Sequence, residues 1–327
     1  MRRRDFIAGV SGLTAAWPLA ARAQRAAIPV VGFLYSLGRN DRVNLVDAFR
    51  RGLNEAGYAE GRNVAIEYRF ADNQIDRLPA LAADLVSRNV AVIVATGGGY
   101  SVFAAKAATT TIPIVFVTAG DPVQLGFVAS LNQPGANVTG VSWFGSQLAD
   151  KGLGLLHELV PKAVLVALLV NPRLPEAVFT LSDAQKSAKA LGQQLLVLSA
   201  GTASEIDAAF ATLRQWGADA LLLGGDPFFS SRRQQIVALT ARDKIPAMYA
   251  NREFAEEGGL MSYGNDVADG YRRAALHVAR ILKGEKPANL PIDQATKFEF
   301  VINLKAAKAL GVEVPPGLSA RADEVIE

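Results

Sequence analysis

The sequence predicts an α/β fold of two lobes, each a doubly wound and mostly parallel sheet with helices on both faces. From residue 28 onward, short β-rich runs alternate with longer runs of helical period, as in consecutive βαβ units. The alternation restarts after the segment NVTGVSW, residues 137–143, which divides the chain into two similar series. Three strand-like runs stop at an acidic or amide residue followed by proline, namely Asp121, Asn171 and Asp226. Proline cannot donate a hydrogen bond to a sheet, so each strand is expected to end there.

The first series predicts four strands and three helices. The run IPVVGFLY predicts a strand at 28–35, and a helix is expected at 44–56 because Leu45, Phe49 and Leu53 share one face. The other strands are predicted at 64–68, 90–95 and 112–117, and the other helices at 75–87 and 101–108.

The second series repeats this order and then extends it. Its strands are predicted at 164–170, 194–198, 220–223 and 245–249, and its helices at 175–191, 205–216 and 231–241. A strand at 260–263 then leads into a long helix at 267–283, which Gly284 ends. The tail holds one more strand at 298–303 and a short helix.

Residues 1–23 have the three parts of an export signal. Arginines come first, a mildly apolar run covers 6–20, and Ala21 and Ala23 supply small residues where a signal peptidase cuts. The run RRDFI, which begins at Arg3, resembles a twin-arginine signal. A retained membrane anchor is the alternative, but the segment is short and rich in Gly, Ser, Thr and Pro. We therefore expect cleavage near Ala23 and a periplasmic protein exported by the twin-arginine or the Sec machinery.

Charge and composition argue against several classes of function. The net charge of +3 belongs to the leader, because the rest of the chain has 30 basic and 30 acidic residues, so no nucleic-acid partner is expected. Cysteine is absent, which excludes thiol nucleophiles and thiolate metal sites. The only histidines, His157 and His277, fall in helix-like segments, and no hydrolase or metal-binding motif occurs. We expect no catalytic residue, no metal and no cofactor.

Candidate binding residues lie where predicted strands end. In open parallel sheets, ligands bind in the crevice beyond the carboxyl ends of the strands. The residues of this sequence that we place there are Tyr35, Ser36, Gly97, Gly98, Tyr100, Ser101, Asp121, Trp143, Asn171, Asp226, Tyr249 and Tyr263.

Each kind of candidate has a functional and a structural interpretation. The glycines at 97–99 precede a helix whose amides could bind a carboxylate, or they form a tight turn that needs positive φ. Asp121 and Asp226 could accept from an ammonium or hydroxyl group, or could serve as turn residues before proline. The aromatic residues indicate an amphipathic organic ligand if they cluster, and belong to the core if they do not.

Several longer stretches resemble a known family. GDPVQLGFVASLNQPGANVTGVS at 120–142, REFAEEGGLMSYGNDVADGYRRAA at 252–275 and ILKGEKPANLPIDQATKFEFVINLKAAKALG at 281–311 are the clearest. They resemble the bacterial family of ABC-transporter substrate-binding proteins that includes tryptophan- and tyrosine-type binders. The resemblance implies the type I periplasmic-binding fold, in which a three-strand hinge joins two lobes that close on a small solute.

The resemblance also implies a domain division and a function. The crossings are expected near 141–144, 263–265 and 287–291. The N-terminal lobe would comprise 24–142 and 264–287, and the C-terminal lobe 143–263 and 288–327. The implied function is to capture a small organic solute, such as an amino acid or an aromatic carboxylate, as a monomer. The closed form would then dock on an inner-membrane ABC permease with its ATPase.

Two other classes remain open at this stage. A periplasmic sensor for a membrane receptor would share the fold and the cleft, and only its partner would differ. An exported α/β enzyme is the second alternative, and turnover of a bound ligand would distinguish it.

Overall fold

The computed structural model describes residues 28–143, 145–294 and 298–327. The predicted leader at 1–23 lies outside the described residues, and so does Phe144 at the first expected crossing.

Thirteen strands and twelve α-helices make up the described chain. The strands are β1 (Val30–Tyr35), β2 (Ala65–Phe70), β3 (Val92–Thr96), β4 (Ile114–Thr118), β5 (Val138–Ser142), β6 (Leu165–Val170), β7 (Gln194–Ser199), β8 (Ala220–Leu223), β9 (Ala247–Tyr249), β10 (Met261–Asn265), β11 (Asp293–Gln294), β12 (Phe298–Asn303) and β13 (Glu324–Ile326). The helices are α1 (Val43–Glu55), α2 (Leu78–Ser87), α3 (Gly99–Ala108), α4 (Gly145–Leu159), α5 (Ala177–Ala190), α6 (Ala203–Trp216), α7 (Pro227–Ser231), α8 (Arg233–Asp243), α9 (Arg252–Glu256), α10 (Val267–Leu282), α11 (Leu304–Leu310) and α12 (Pro316–Ser319).

The strands form two separate sheets, which confirms the predicted α/β fold. The first sheet has the order β11-β5-β4-β3-β1-β2 and is parallel throughout. The second has the order β13-β12-β10-β9-β8-β6-β7. Buried apolar clusters cover both faces of each sheet. We call the first sheet, with the helices packed on it, the first lobe, and the second sheet with its helices the second lobe.

Two strands of the second sheet run opposite to the others. β12 is antiparallel to β10, with Asn265 opposite Phe298 and Met261 opposite Ile302, and β13 is parallel to β12. The register shows the cause: β12 enters the second sheet at the end where β10 leaves it, so the chain returns in the opposite direction.

The chain passes between the lobes at three places, and the third differs from the prediction. The first pass separates β5 from α4, and the second lies between Asn265 and Val267. The third falls between Gln294 and Phe298 rather than at 287–291. The segment at 287–291 stays beside β5, where the Thr139 hydroxyl donates to the carbonyl of Leu290 at 2.8 Å.

This correction also shifts the boundary of the C-terminal tail. β11 belongs to the first sheet, because Asp293 pairs with Val141 and Gln294 with Ser142. Placing all of 288–327 in the C-terminal lobe was therefore wrong at its start. The long helix α10 packs on α1 so closely that a Cβ on Gly52 would lie 2.2 Å from the Arg272 carbonyl oxygen.

Candidate ligand-binding site

A cavity of about 500 Å³ lies between the carboxyl ends of the two sheets. Tyr35 and Thr118 reach it from the ends of β1 and β4 of the first lobe. Leu223 and Tyr249 reach it from the ends of β8 and β9 of the second lobe. A cavity of this size accommodates a small organic molecule and lies where open parallel sheets place their ligands.

Most of the candidate residues from the sequence line this cavity. They are Tyr35, Gly97, Gly98, Asp121, Trp143, Asp226, Tyr249 and Tyr263. Three others, Ser36, Tyr100 and Asn171, line a second cavity of only about 10 Å³. Ser101 is fully buried in the first turn of α3, and its hydroxyl has no hydrogen-bond partner among the described residues.

The glycines before α3 form the tight turn that was the structural interpretation. Gly97 and Gly98 have φ of +84° and +103°, which a residue with a side chain rarely adopts. The Ser36 hydroxyl donates to the carbonyl of Gly97 at 2.5 Å and supports the turn. Ser36 therefore lies behind the turn and holds its shape.

The N-terminus of α3 is already occupied by a carboxylate of the protein. The Gly99 N–H donates to Oε2 of Glu176 at 3.3 Å, and the Thr118 hydroxyl donates to Oε1 at 2.8 Å. A solute carboxylate at this helix end would therefore compete with Glu176 for the Gly99 N–H. Glu176 precedes α5 in the second lobe, whereas Gly99 and Thr118 belong to the first, so the carboxylate joins the two lobes.

Sequence reasoning missed Glu176, although it is the most enclosed acid of the site together with Asp226. It is 6% exposed, and burial raises the pKa of its carboxyl, opposed by the hydrogen bond from Thr118. In the sequence it is an ordinary acid at the start of a helix. In the folded chain, its neighbours Leu174 and Ala177 pack among first-lobe residues such as Phe116, which shows that this turn faces the other lobe.

Asp226 has its carboxylate in a buried position of the cavity lining. The residue caps α7, and its Oδ1 accepts from the Phe228 N–H at 2.5 Å. The residue is 4% exposed, and its Oδ2 has almost no accessible surface. Burial raises the pKa of Asp226 to about 7, although the Phe228 N–H and the Asn171 side chain favour the charged form.

Asp121, at the corresponding Asp-Pro of the first lobe, differs from Asp226. Its Oδ1 accepts from the N–H groups of Val123 and Gln124, at 2.8 and 3.2 Å. Its Oδ2 accepts from the side chain of Gln124 at 3.2 Å. Both oxygens are therefore used within its own turn, as the structural interpretation of an aspartate before proline expects.

An ion pair joins the lobes at another wall of the cavity, and sequence reasoning missed it as well. The guanidinium of Arg42, just before α1, donates to Oε1 of Glu253 in α9. The Arg42 side chain lines the cavity and is only 6% exposed. Such a pair forms only when the lobes are close together, and the sequence separation of 211 residues hides it.

The aromatic candidates form walls of the cavity rather than exposed rings. Tyr35 and Tyr249 are 1% exposed. Tyr249 stacks on Phe254 with ring centres 4.8 Å apart, and its hydroxyl lies 2.8 Å from that of Thr240. Tyr35 meets Tyr271 edge to face, with ring centres 6.3 Å apart.

Metal binding finds no support in the described part of the chain. No group of three or more His, Cys, Asp or Glu side chains there could hold a metal ion. Within the same residues, no helix is both long and apolar enough to cross a membrane.

Comparison with known proteins agrees with this two-lobed geometry. A family model described as ABC transporter substrate binding protein matches residues 30–326. The chain belongs to this family. The tyrosine-binding protein of Clostridioides difficile (strain R20291) is 28% identical over 266 residues, which cover 81% of this chain and 76% of that protein.

Solved structures of other substrate-binding proteins and related domains share the fold. A conserved domain protein of Vibrio cholerae superimposes with a TM-score of 0.84 at 27% identity, covering 91% of this chain and 99% of that one. An ABC domain of Streptococcus pneumoniae in complex with L-Trp gives 0.82 at 23% identity, covering 90% of this chain and 100% of that one. This substrate-binding protein therefore has the type I periplasmic-binding fold that the sequence predicts.

Proposed function

We propose that this substrate-binding protein captures a small organic solute in its interlobe cavity and delivers it to an ABC permease of the inner membrane. The observation that carries the proposal is the cavity itself: it lies between the strand ends of both lobes, and the buried carboxylate of Asp226 belongs to its lining. Such a carboxylate is suited to a donor group of the solute, above all an ammonium ion.

Hinge closure supplies the mechanism. A solute that contacts residues of both lobes favours the closed form, because only that form provides all the contacts at once. The closed form then presents both lobes to the permease and its ATPase. No chemical step and no cofactor is needed, and one chain is sufficient to form the site.

Two relatives support an amine-bearing solute. Tyrosine and tryptophan, which occur in the names of relatives, both carry an ammonium group and an aromatic ring. The apolar residues that line the cavity include Leu45, Trp143, Leu174 and Phe179, which suit such a ring. We also propose that residues 1–23 direct export and are removed near Ala23, which would place the protein in the periplasm.

Thermal unfolding of the chain from Gln24 onward, against amino acids, aromatic acids, amines, nucleosides and sugars, tests the proposal. A ligand at about 100 times its Kd adds about 2.7 kcal/mol to the free energy of unfolding, which gives a clear rise in Tm. The solute found is then offered to cells with and without the gene, and import should depend on the gene. Binding without gene-dependent import would contradict transport and favour a sensor.

A matched pair of variants places the solute in the cavity. Asp226→Asn should reduce affinity for the solute at least tenfold, because the charged acceptor is lost. Asp121→Asn changes the corresponding Asp-Pro, whose oxygens are both bonded within their own turn, and should change affinity less. Equal losses of affinity in the two variants would show that Asp226 does not bind the solute.

A further inference from the structure

We propose that the cavity selects its solute by positive charge and prefers primary organic amines without a carboxylate group. The ammonium ion would bind the carboxylate of Asp226, which lines the cavity together with Glu176. This inference rests on the proposed function, since it names the class of solute for the same cavity.

The cavity contains two buried carboxylates without a cation. Asp226 and Glu176 are 4% and 6% exposed, and neither makes an ion pair with any other described residue. Burial is the main cause that raises the pKa of Asp226, and the charge of Glu176 raises it further. A buried carboxylate without a counter-charge is costly, so an incoming cation would relieve both groups.

The charged residues of the cavity leave an excess of negative charge. Four acids and two bases line it: Asp121, Glu176, Asp183, Asp226, Arg42 and Lys186. Arg42 is paired with Glu253, and Lys186 with Asp183 at 3.2 Å, so each lining cation in the described chain already has a carboxylate. A carboxylate on the solute would add a further negative charge to this set.

The place best suited to a solute carboxylate is closed to it. The Gly99 N–H at the start of α3 donates to Glu176, which also accepts from Thr118. A solute carboxylate there would have to displace Glu176 and leave that carboxylate buried without its two donors. The N-terminal N–H groups of a helix bind anions in other proteins, but in α3 the Gly99 N–H is already bonded to Glu176, which disfavours a solute carboxylate.

The remaining walls suit the apolar body of an amine. Trp143, Leu174 and Met248 line the cavity, and each is less than 10% exposed. An aromatic or aliphatic group would replace water along these walls, while its ammonium ion reaches Asp226. Charge and apolar surface thus indicate the same class of solute.

Calorimetry with three compounds that share one ring tests the inference. Tyramine carries only the ammonium group, L-tyrosine carries the ammonium and the carboxylate, and 3-(4-hydroxyphenyl)propionate carries only the carboxylate. At pH 8, tyramine should bind at least tenfold more tightly than L-tyrosine, and the acid should not bind. Binding of L-tyrosine as tightly as tyramine, binding of the acid, or binding of none of the three would overturn the inference.

Variants separate charge from shape. Glu176→Gln removes the negative charge and retains a similar shape, so the affinity ratio of tyramine to L-tyrosine should fall at least threefold. Glu313→Gln, on the exposed surface, is the matched control and should leave the ratio unchanged. An unchanged ratio in a folded Glu176→Gln protein would overturn the role of Glu176.

The outcome also distinguishes this inference from the proposed function. A sugar or nucleoside found by thermal unfolding and imported in a gene-dependent way would leave solute capture intact and overturn the preference for amines. Amine binding without gene-dependent import would support the preference for amines and contradict the transport function.

Discussion

Glu176 and Thr118 join the two lobes of this protein through one hydrogen bond, in which the threonine hydroxyl donates to Oε1 at 2.8 Å. The bond links the turn before α5 in the second lobe to the end of β4 in the first. Because the Gly99 N–H donates to the other oxygen, the carboxylate has a donor on each side only when the lobes are closed. The protein thus supplies part of its own closing contact.

Thr118→Val should shift the protein without solute toward the open form. Loss of the donor leaves one Glu176 oxygen unsatisfied in the closed form, at a cost of about 1–3 kcal/mol, whereas water solvates it in the open form. Small-angle X-ray scattering should show a larger radius of gyration than for the unchanged protein. Thr212→Val, on the exposed face of α6, is the control and should scatter as the unchanged protein does.

The Arg42–Glu253 ion pair should also stabilise the closed form, because it joins the two lobes. Glu253→Gln leaves the Arg42 guanidinium without its counter-charge in a partly buried position, which should cost the closed form about 1–3 kcal/mol. Solute affinity should fall accordingly. A double-mutant cycle with Arg42→Met measures the coupling, and a coupling near zero would show that the pair does not stabilise closure.

Affinity for a cationic solute should rise with pH up to about 7 and then level off. Binding of an ammonium ion requires ionised Asp226, whose pKa burial raises to about 7. Below that pH each unit should weaken binding roughly tenfold, because one proton must be released. Calorimetry from pH 5 to 8 checks this, and Asp226→Asn should remove the dependence along with most of the affinity.

The free energy of unfolding of the solute-free protein should fall as pH rises, whereas its affinity for a cationic solute should rise. The folded pKa of Asp226 is raised above its unfolded value of about 4, so the folded state binds more protons between these values. This contribution is present below pH 4 and is lost as pH rises toward 7. Urea unfolding should show a smaller loss of stability between pH 5 and 8 for Asp226→Asn than for the unchanged protein.

Gly52→Ala should destabilise the first lobe strongly. A Cβ there would lie 2.2 Å from the Arg272 carbonyl oxygen, so α1 and α10 would have to move apart, at a cost of about 1–3 kcal/mol. Gly154→Ala in α4 is the matched control, since its Cβ would meet nothing within 4 Å. That substitution should instead stabilise the helix by about 0.5–1 kcal/mol in urea unfolding.

Local patterns in the sequence predicted most of the elements because each depends on nearby residues. The run at 28–35 contains β1, and the apolar face of 44–56 corresponds to α1. β5 was recognised only as the point where the alternation restarts, because VTGVS is short and contains a glycine. β11 has only two residues and pairs with β5 from 152 residues away, so no local pattern indicates it.

Strand ends located the cavity, but side-chain partners decided what each candidate does. The same Asp-Pro pattern occurs at residues 121 and 226, yet only Asp226 is buried, whereas both oxygens of Asp121 accept hydrogen bonds within its own turn. Whether any of the twelve candidate residues binds a solute stays a prediction until a solute is found.

The sequence by itself determined the two α/β lobes and where their strands end, because hydrophobic period and proline positions act within a few residues. The family followed instead from the resemblance of the longer stretches at 120–142, 252–275 and 281–311. The tertiary structure alone decided the charge of the site. Glu176 meets Gly99 and Thr118, and Arg42 meets Glu253, only because folding brings segments 58–211 residues apart into contact. Burial then raises the pKa of Asp226 and Glu176, since it removes the water that would otherwise stabilise their charges.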